Sequence, residues 1–332
     1  MTTLENYRPS FAETWSGRID DLHDRDAFRI HQVVRRIDLR KIAHRSIHFS
    51  DQNICLLGFC CDEGIRRNLG RVGADQGPAY IRQELANLPV TFPDTFSIYD
   101  AGDIHCAGND LERAQAALEL AVERLMDHGL FPLVLGGGHE LALGHYRGIT
   151  QFLNKKHRHP PGIINFDAHL DLRPMRQSGS SGTMFSQIAD DCRKSGFPFT
   201  YFCLGVQTTG NTISLFKRAE QLGAEYMLAR EISAGGLAAS ERKIMQFIDR
   251  CDTIYLTLCC DVFHSHAAPG VSALQPFGMD PETVLQLIKI ILNCGKTVAI
   301  DIAEVSPRFD RDHHTAKLVS VIIYAMINQL IN

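Results

Sequence analysis

Short, almost uninterrupted apolar runs alternate with amphipathic stretches from residue 54 onward. Ile54 to Phe59 reads as the first buried strand. Similar runs follow near Phe96 to Tyr99, Leu133 to Leu135, Ile163 to Phe166, Thr200 to Val206, Glu225 to Leu228, Thr253 to Cys260 and Thr297 to Ile302. Between them the apolar period is helical. Leu111, Ala114, Leu118, Ala121 and Leu125 form one stripe of a helix predicted over 109–128 and closed by Gly129. Gly77-Pro78 opens a helix to Leu85, and Asp280-Pro281 opens one to about Leu292, each with proline in a tolerated first turn. Further helices are predicted up to Leu153, over 240–248 and over 315–330. Strands that are apolar throughout and alternate with helices predict an α/β fold. Its central sheet is mostly parallel and covered by helices on both faces. No internal repeat interrupts the pattern. The chain reads as one domain over 1–332, with polar residues 1–50 as an N-terminal extension packing on it.

Composition narrows the class. A hydrophobic content of 45% over 332 residues supports a large core, and a net charge of −4 opposes nucleic acid as the main partner. The basic run from Lys155 to His159 is a solvated loop on this reading. No run reaches the roughly 18 apolar residues of a membrane span, and the polar N-terminus lacks the apolar core of a signal peptide. The ten cysteines lie mostly in apolar runs with no zinc-type C-x-x-C pair, which predicts reduced, buried thiols and a cytoplasmic location. Neither adjacent pair, Cys60-Cys61 or Cys259-Cys260, can close a low-strain disulfide with its own neighbour.

The candidate chemistry centres on Gly162 to Arg173. Here a buried strand delivers Asp167, His169 and Asp171 at alternate positions. In extended backbone those side chains point to one side, at the sheet edge where ligands of open parallel sheets bind. Two carboxylates and an imidazole suit a manganese-, iron- or zinc-type cation better than calcium; a polar loop capping its own backbone is the plainer alternative. Gly136-Gly137-Gly138 is read as letting the backbone turn sharply near a ligand while setting His139 at a strand end. Asp261 and Glu304 stand at two further strand ends. Arg66, Arg67 and Arg71, in the Gly- and Arg-rich loop of residues 61–73, suit bidentate binding of carboxylates or a solvated loop. The small, polar stretch from Gln177 to Phe185 suits a substrate loop or a linker.

Taken together, these motifs resemble those of the ureohydrolases, the arginase and agmatinase superfamily. The resemblance rests on Gly136-Gly137-Gly138-His139-Glu140, on Asp167-Ala168-His169-Leu170-Asp171, and on the strand ending at Asp261 with Ala268-Pro269-Gly270 nearby. Trp15-Ser16-Gly17-Arg18-Ile19-Asp20, Asp62 to Asn68, Gly70-Arg71-Val72-Gly73 and Ser180-Ser181-Gly182-Thr183 look most like its formimidoylglutamase branch. The resemblance implies a three-layer arginase-like α/β fold and a homo-oligomer. It also implies two manganese ions, one on His139, Asp167 and Asp171 and the other on His169, Asp167 and Asp261. The implied reaction is hydrolysis of N-formimidoyl-L-glutamate in histidine degradation, by a metal-activated hydroxide attacking the amidine carbon. In it Asp171 moves the proton, Glu304 pairs with the substrate cation, and Arg173 with one of Arg66, Arg67 or Arg71 binds the substrate carboxylates; Ser181 belongs to the substrate loop.

One position departs from the pattern. Cys259 stands where the superfamily carries a bridging aspartate. It admits three readings: a thiolate ligand favouring softer ions, one well-held ion beside a weakly held one, or a silent subunit. A hydrolase of arginine, agmatine or another guanidino compound is the alternative substrate assignment.

Overall fold

The computed structural model describes residues 4–42 and 53–331; the start of the N-terminus and residues 43–50 of the expected extension lie outside them. The elements run β1 Tyr7–Arg8, α1 Ile30–Val33, β2 Arg35–Arg36, α2 Leu39–Ile42, β3 Ile54–Cys60, α3 Glu63–Arg67, α4 Gly77–Leu85, β4 Ile98–His105, α5 Leu111–Asp127, β5 Phe131–Gly136, α6 Leu141–Lys155, β6 Gly162–Phe166, α7 Met184–Ser195, β7 Tyr201–Val206, α8 Ile213–Leu222, β8 Glu225–Leu228, α9 Ala229–Asp249, β9 Ile254–Cys259, α10 Pro281–Asn293, β10 Thr297–Ala303 and α11 His314–Ile331.

A ten-stranded sheet orders its strands β1-β4-β3-β5-β10-β9-β6-β7-β8, with β2 also on β4. Every pairing is parallel except that of β1 with β4. Strand alternation divides the core between the two faces. Leu133, Leu135, Ile164 and Phe166 pack toward α4, α9, α10 and α11. Val134 and Ile163 pack toward α5, α6 and α7 on the other face. This is the three-layer α/β arrangement expected from the continuous apolar runs.

Local signals hold where they were strong. Asp110 caps α5 by accepting from the Arg113 N–H, and Gly129 closes it at φ +71°. Asp280 caps α10 by accepting from Glu282 and Thr283, with Pro281 following. Elsewhere the structure corrects the pattern. The loop of residues 61–73 contains α3. The strand predicted over 96–99 is β4, which runs on through Asp100 and Asp103. Helices α7 and α8 were not predicted, and α9 begins before residue 240, with a break at Gly236, φ +71°. Helix α11 has the length and mean hydropathy, eighteen residues at 1.3, of a membrane-crossing helix; here Ala316, Val319, Ile323 and Met326 on its buried side join the core.

Polar residues inside β4 are explained by what they bind. Arg82, 1% exposed, donates to Asp100 Oδ1 at 2.8 Å, Asp103 Oδ1 at 2.7 Å and the Gly102 carbonyl at 2.9 Å. Asp100 Oδ2 accepts from Trp15 Nε1 and Ser10 Oγ, each at 2.7 Å. Beyond the pairing of β1 with β4, the N-terminal segment is thus tied to the sheet through one buried carboxylate. Removing the cation would leave that charge uncompensated. Arg82→Ala is expected to lower stability by about 3–5 kcal/mol, read as a drop in the urea midpoint.

Candidate active site

Strands β5, β10, β9 and β6 are neighbours in the sheet, and each ends in an ionisable group at the same edge. His139 follows β5, and Glu304 follows β10. Strand β9 ends in Cys259 and turns through a short 3-10 segment holding Asp261, while β6 leads into Asp167, His169 and Asp171. The chain leaves extended geometry at Phe166. Convergence of the last three therefore comes from a folded loop, with Asp171 in left-handed backbone at φ +49°, not from strand alternation. Glu304 is also left-handed, at φ +71°; such conformations are uncommon outside glycine and concentrate at functional sites. The glycine run acts differently from the reading above. None of its residues has positive φ; a side chain on Gly137 would strike the Cys61 carbonyl, and one on Gly138 the Glu140 carboxylate. Close backbone packing behind the site is what requires glycine there.

Asp167, fully buried, stands between two imidazoles. Its Oδ2 lies 3.0 Å from His139 Nδ1 and its Oδ1 3.3 Å from His169 Nδ1. His139 Nδ1 also faces Asp171 Oδ2 at 3.3 Å, and His169 Nδ1 faces Asp261 Oδ2 at 3.0 Å. His139, Asp167 and Cys259 form one cluster of donor atoms within 4.8 Å of one another; Asp167, His169 and Asp261 form another. His139 Nδ1, Asp261 Oδ1 and Glu304 Oε2 are buried with no hydrogen-bond partner. Ligands at about 2.1 Å on one octahedral cation sit roughly 3 Å apart, the spacing found here. Imidazole, carboxylate and thiol donors fit a first-row transition-metal ion. These residues therefore fit a pair of divalent cations sharing Asp167.

Charge makes the same point. Glu140, Asp167, Asp261 and Glu304 are buried and Asp171 is nearly so, and among the described residues no lysine or arginine pairs with any of them. Burial and the charge of Asp167 push Asp171 up to about 6 and also raise Asp261. Burial, Asp261 and Glu140 push Glu304 well up, and burial brings Glu140 to about 7. Burial works against protonation of both imidazoles, yet the carboxylates around them hold His139 and His169 well above the usual range. Burial, with Asp167, Asp261 and Glu304 nearby, raises the Cys259 thiol. Asp167 alone is lowered, because its contacts with the two histidines outweigh its burial.

A second layer fixes His139. Thr257 Oγ1 donates to Asp301 Oδ1 at 2.6 Å, so its contact with His139 Nε2 at 2.9 Å is one in which the ring N–H donates. The Nδ1 lone pair of the neutral ring is thereby aimed into the site. Asp301 is buried and also bound by Tyr255 OH and by His145 Nδ1, the latter at 2.7 Å. Asn211 holds the Asp167 loop, accepting from Leu170 N–H and donating to the Ala168 carbonyl, each at 2.9 Å. Sequence reasoning missed Thr257 and Asn211. The available signal for Thr257 was a polar residue inside an otherwise apolar run.

A cavity of about 310 Å³ opens over this cluster, lined among others by Arg71, Arg173, Ser181, Asn68 and Glu304. Arg173 is exposed, and among the described residues its guanidinium has no hydrogen-bond or ion-pair partner. Arg71 bonds the carbonyls of Val271 and Ser272 and stacks on Phe309. Arg66 and Arg67 do not line the cavity; Glu63 engages both, and Glu112 holds Arg67 as well. Ser181 is buried at the wall, its N–H donating to the Gly64 carbonyl at 3.1 Å.

Residues 52–328 match the arginase family. A formimidoylglutamase of Clostridium tetani is 47% identical over 327 residues, 98% of this chain and 96% of that one. The fold is similar to the crystal structure of formimidoylglutamase from Bacillus subtilis, with a TM-score of 0.80, 21% identity and 94% of each chain covered. It is also similar to the crystal structure of a variant of Trypanosoma cruzi formiminoglutamase with Mn2+2, with a TM-score of 0.76, 25% identity and 89% and 98% of the two chains covered.

Thr257→Val keeps the shape of the strand and removes the anchor of His139. Divalent-cation affinity is expected to fall about 10- to 100-fold, measured by calorimetric titration of metal-stripped protein.

Proposed function

The chain belongs to the arginase family, and from that we propose that it hydrolyses N-formimidoyl-L-glutamate with water to L-glutamate and formamide, a step of histidine degradation. The observation that carries this is the 47% identity to a formimidoylglutamase over nearly the whole of both chains. We read the donor set as a site for two manganese ions, one on His139, Asp167, Asp171 and Cys259 and the other on Asp167, His169 and Asp261. The Mn2+2 of the Trypanosoma cruzi variant and the doubled cluster around Asp167 support that reading. Cys259, buried against His139 and Asp167, is taken as a donor in an active enzyme and not as the mark of a silent subunit.

When bound, the cations supply Lewis acidity and an acidified water. The chain's own groups do the rest. The formimidoyl group is a planar amidinium cation, and Glu304 offers it Oε2, an acceptor with no hydrogen-bond partner, while the backbone N–H of His139 holds Oε1 at 3.2 Å. Burial now disfavours charge on that carboxyl, and a substrate cation would relieve the penalty. Asp171, whose Oδ2 lies 3.3 Å from His139 Nδ1 within the cluster, is placed to take a proton from the attacking water and return it to the departing amine of glutamate. Arg173, unpaired at the cavity, suits a substrate carboxylate, with Arg71 as the loop arginine beside the same cavity. The same reading makes the chain a single domain whose partner is a small-molecule substrate, not nucleic acid or membrane, in a cytoplasmic homo-oligomer.

A substrate panel on manganese-loaded protein tests the assignment. Formamide and glutamate from N-formimidoyl-L-glutamate are expected; urea from arginine or agmatine in their place would overturn it. Arg173→Ala is expected to raise KM about tenfold or more with kcat nearly unchanged, since a remote carboxylate contact is shared by ground and transition states. Cation binding must displace the protons that the raised pKa values now hold on Asp171, Asp261 and the histidines. Affinity is therefore expected to rise with pH as the two histidines lose their protons, and to weaken further as pH falls through about 6, where Asp171 takes one up. Calorimetry in buffers of different ionisation enthalpy would register the released protons.

A further inference from the structure

Two thiols at the ends of neighbouring strands play no part in the hydrolytic reading. Strands β3 and β4 run parallel with Cys60 opposite His105, and the Cys106 N–H donates to the Cys60 carbonyl at 3.2 Å. Cys61 and Cys106 occupy the next position of that register. Parallel neighbours lie about 4.8 Å apart, within the roughly 4.4–6.8 Å Cα separation that a disulfide accepts. The two thiols stand close enough for each to bear on the other's proton affinity, and the Cys61 thiol donates to Glu140 Oε1 at 3.9 Å. All ten cysteines are free.

Their environments differ in a way that matters for exchange chemistry. Cys61 is buried and Cys106 half-exposed. The neighbouring Cys61 draws the Cys106 thiol below its usual range, against burial and the charges of Glu63 and Glu140, with Arg67 assisting. The Cys106 side chain, with burial and Glu140, pushes Cys61 well up. Cys60, also half-buried, is raised by burial and Asp103 and stays a protonated bystander. An accessible thiol of lowered pKa beside a buried second thiol is the arrangement of attacking and resolving cysteines.

We propose that Cys61 and Cys106 form a reversible thiol–disulfide pair, oxidised by a low-molecular-weight disulfide of the glutathione class. The Cys106 thiolate attacks one sulfur of that disulfide, forming a mixed disulfide and expelling one thiolate. Cys61 gives its proton to solvent and attacks the Cys106 sulfur, which closes the Cys61–Cys106 bond and expels the second thiolate. Two protein thiols are oxidised and one external disulfide is reduced to two thiols. The pair lies behind the cavity wall. Cys61 Sγ is 3.9 Å from Glu140 Oε1, the oxygen that also accepts the Gly64 N–H at 2.7 Å, and the Gly64 carbonyl accepts the Ser181 N–H. The inference concerns a different part of the wall from the metal cluster and is independent of which substrate is hydrolysed.

Reduced full-length protein would be incubated with oxidised glutathione at neutral pH, alkylated, digested and mapped by mass spectrometry. The expected product is a peptide pair joined through Cys61 and Cys106 that separates on reduction. Cys61→Ala is expected to leave glutathione trapped on Cys106, and Cys106→Ser, at a half-exposed position that tolerates the change, to leave Cys61 fully alkylated. The proposal is overturned if both thiols remain free in the unaltered chain, if glutathione stays on Cys106 there without closing the bond, or if Cys61 pairs with a different cysteine.

Discussion

The structure depends on a concentration of buried negative charge that the chain itself does not neutralise. Elsewhere a buried acid is given a cation from within the protein, as Arg82 is given to Asp100. At the shared edge of β5, β10, β9 and β6, Glu140, Asp167, Asp171, Asp261 and Glu304 crowd together, and among the described residues histidines are their only ionisable partners of opposite sign. Burying such charge uncompensated is among the costliest arrangements in a protein interior. Protons fill the gap in part, since burial and the neighbouring acids raise Asp171, Asp261 and Glu304. Divalent cations would fill it with ligand atoms already at coordination spacing.

The fold imposes this crowding through its parallel order. Four adjacent strands point their carboxyl ends the same way, so groups far apart in sequence meet at one edge. Fine placement comes from less regular features. Gly137 and Gly138 let the turn carrying His139 lie against the exit of β3 and the Glu140 carboxylate. Left-handed backbone at Asp171 and Glu304 aims two carboxylates that strand geometry would send elsewhere. Thr257 and Asp301 then set the ring of His139.

How far the sequence revealed this follows from where each signal resides. Strands β6 and β9 were legible because they are apolar throughout, and α5 and α10 because their caps are local. Strand β4 was cut short because Asp100 and Asp103 look like a turn until Arg82 and Trp15, distant in sequence, are seen bound to them. The two-residue strands β1 and β2 are too short for any period to register. Helix α3 lies in a Gly- and Arg-rich stretch that reads as loop, and α7, α8 and the first half of α9 carry no cap or stripe that the sequence reading picked out. The site showed a similar division. The alternation of Asp167, His169 and Asp171 drew attention to the right residues, though a loop and not a strand brings them together. Arg66 and Arg67 looked as available as Arg173 because nothing local announces that Glu63 and Glu112 engage them. Arg173 differs from them in facing the cavity unpaired.

Cys259 bears most directly on the central claim, since a thiol stands in one of the two clusters that share Asp167. The decisive measurement is the manganese content of metal-stripped, reloaded protein, taken with its electron paramagnetic resonance spectrum. The account predicts two ions per chain and the spectrum of an exchange-coupled pair. A single ion per chain with the spectrum of isolated manganese would contradict it, and would mean that one of the two clusters does not hold a cation.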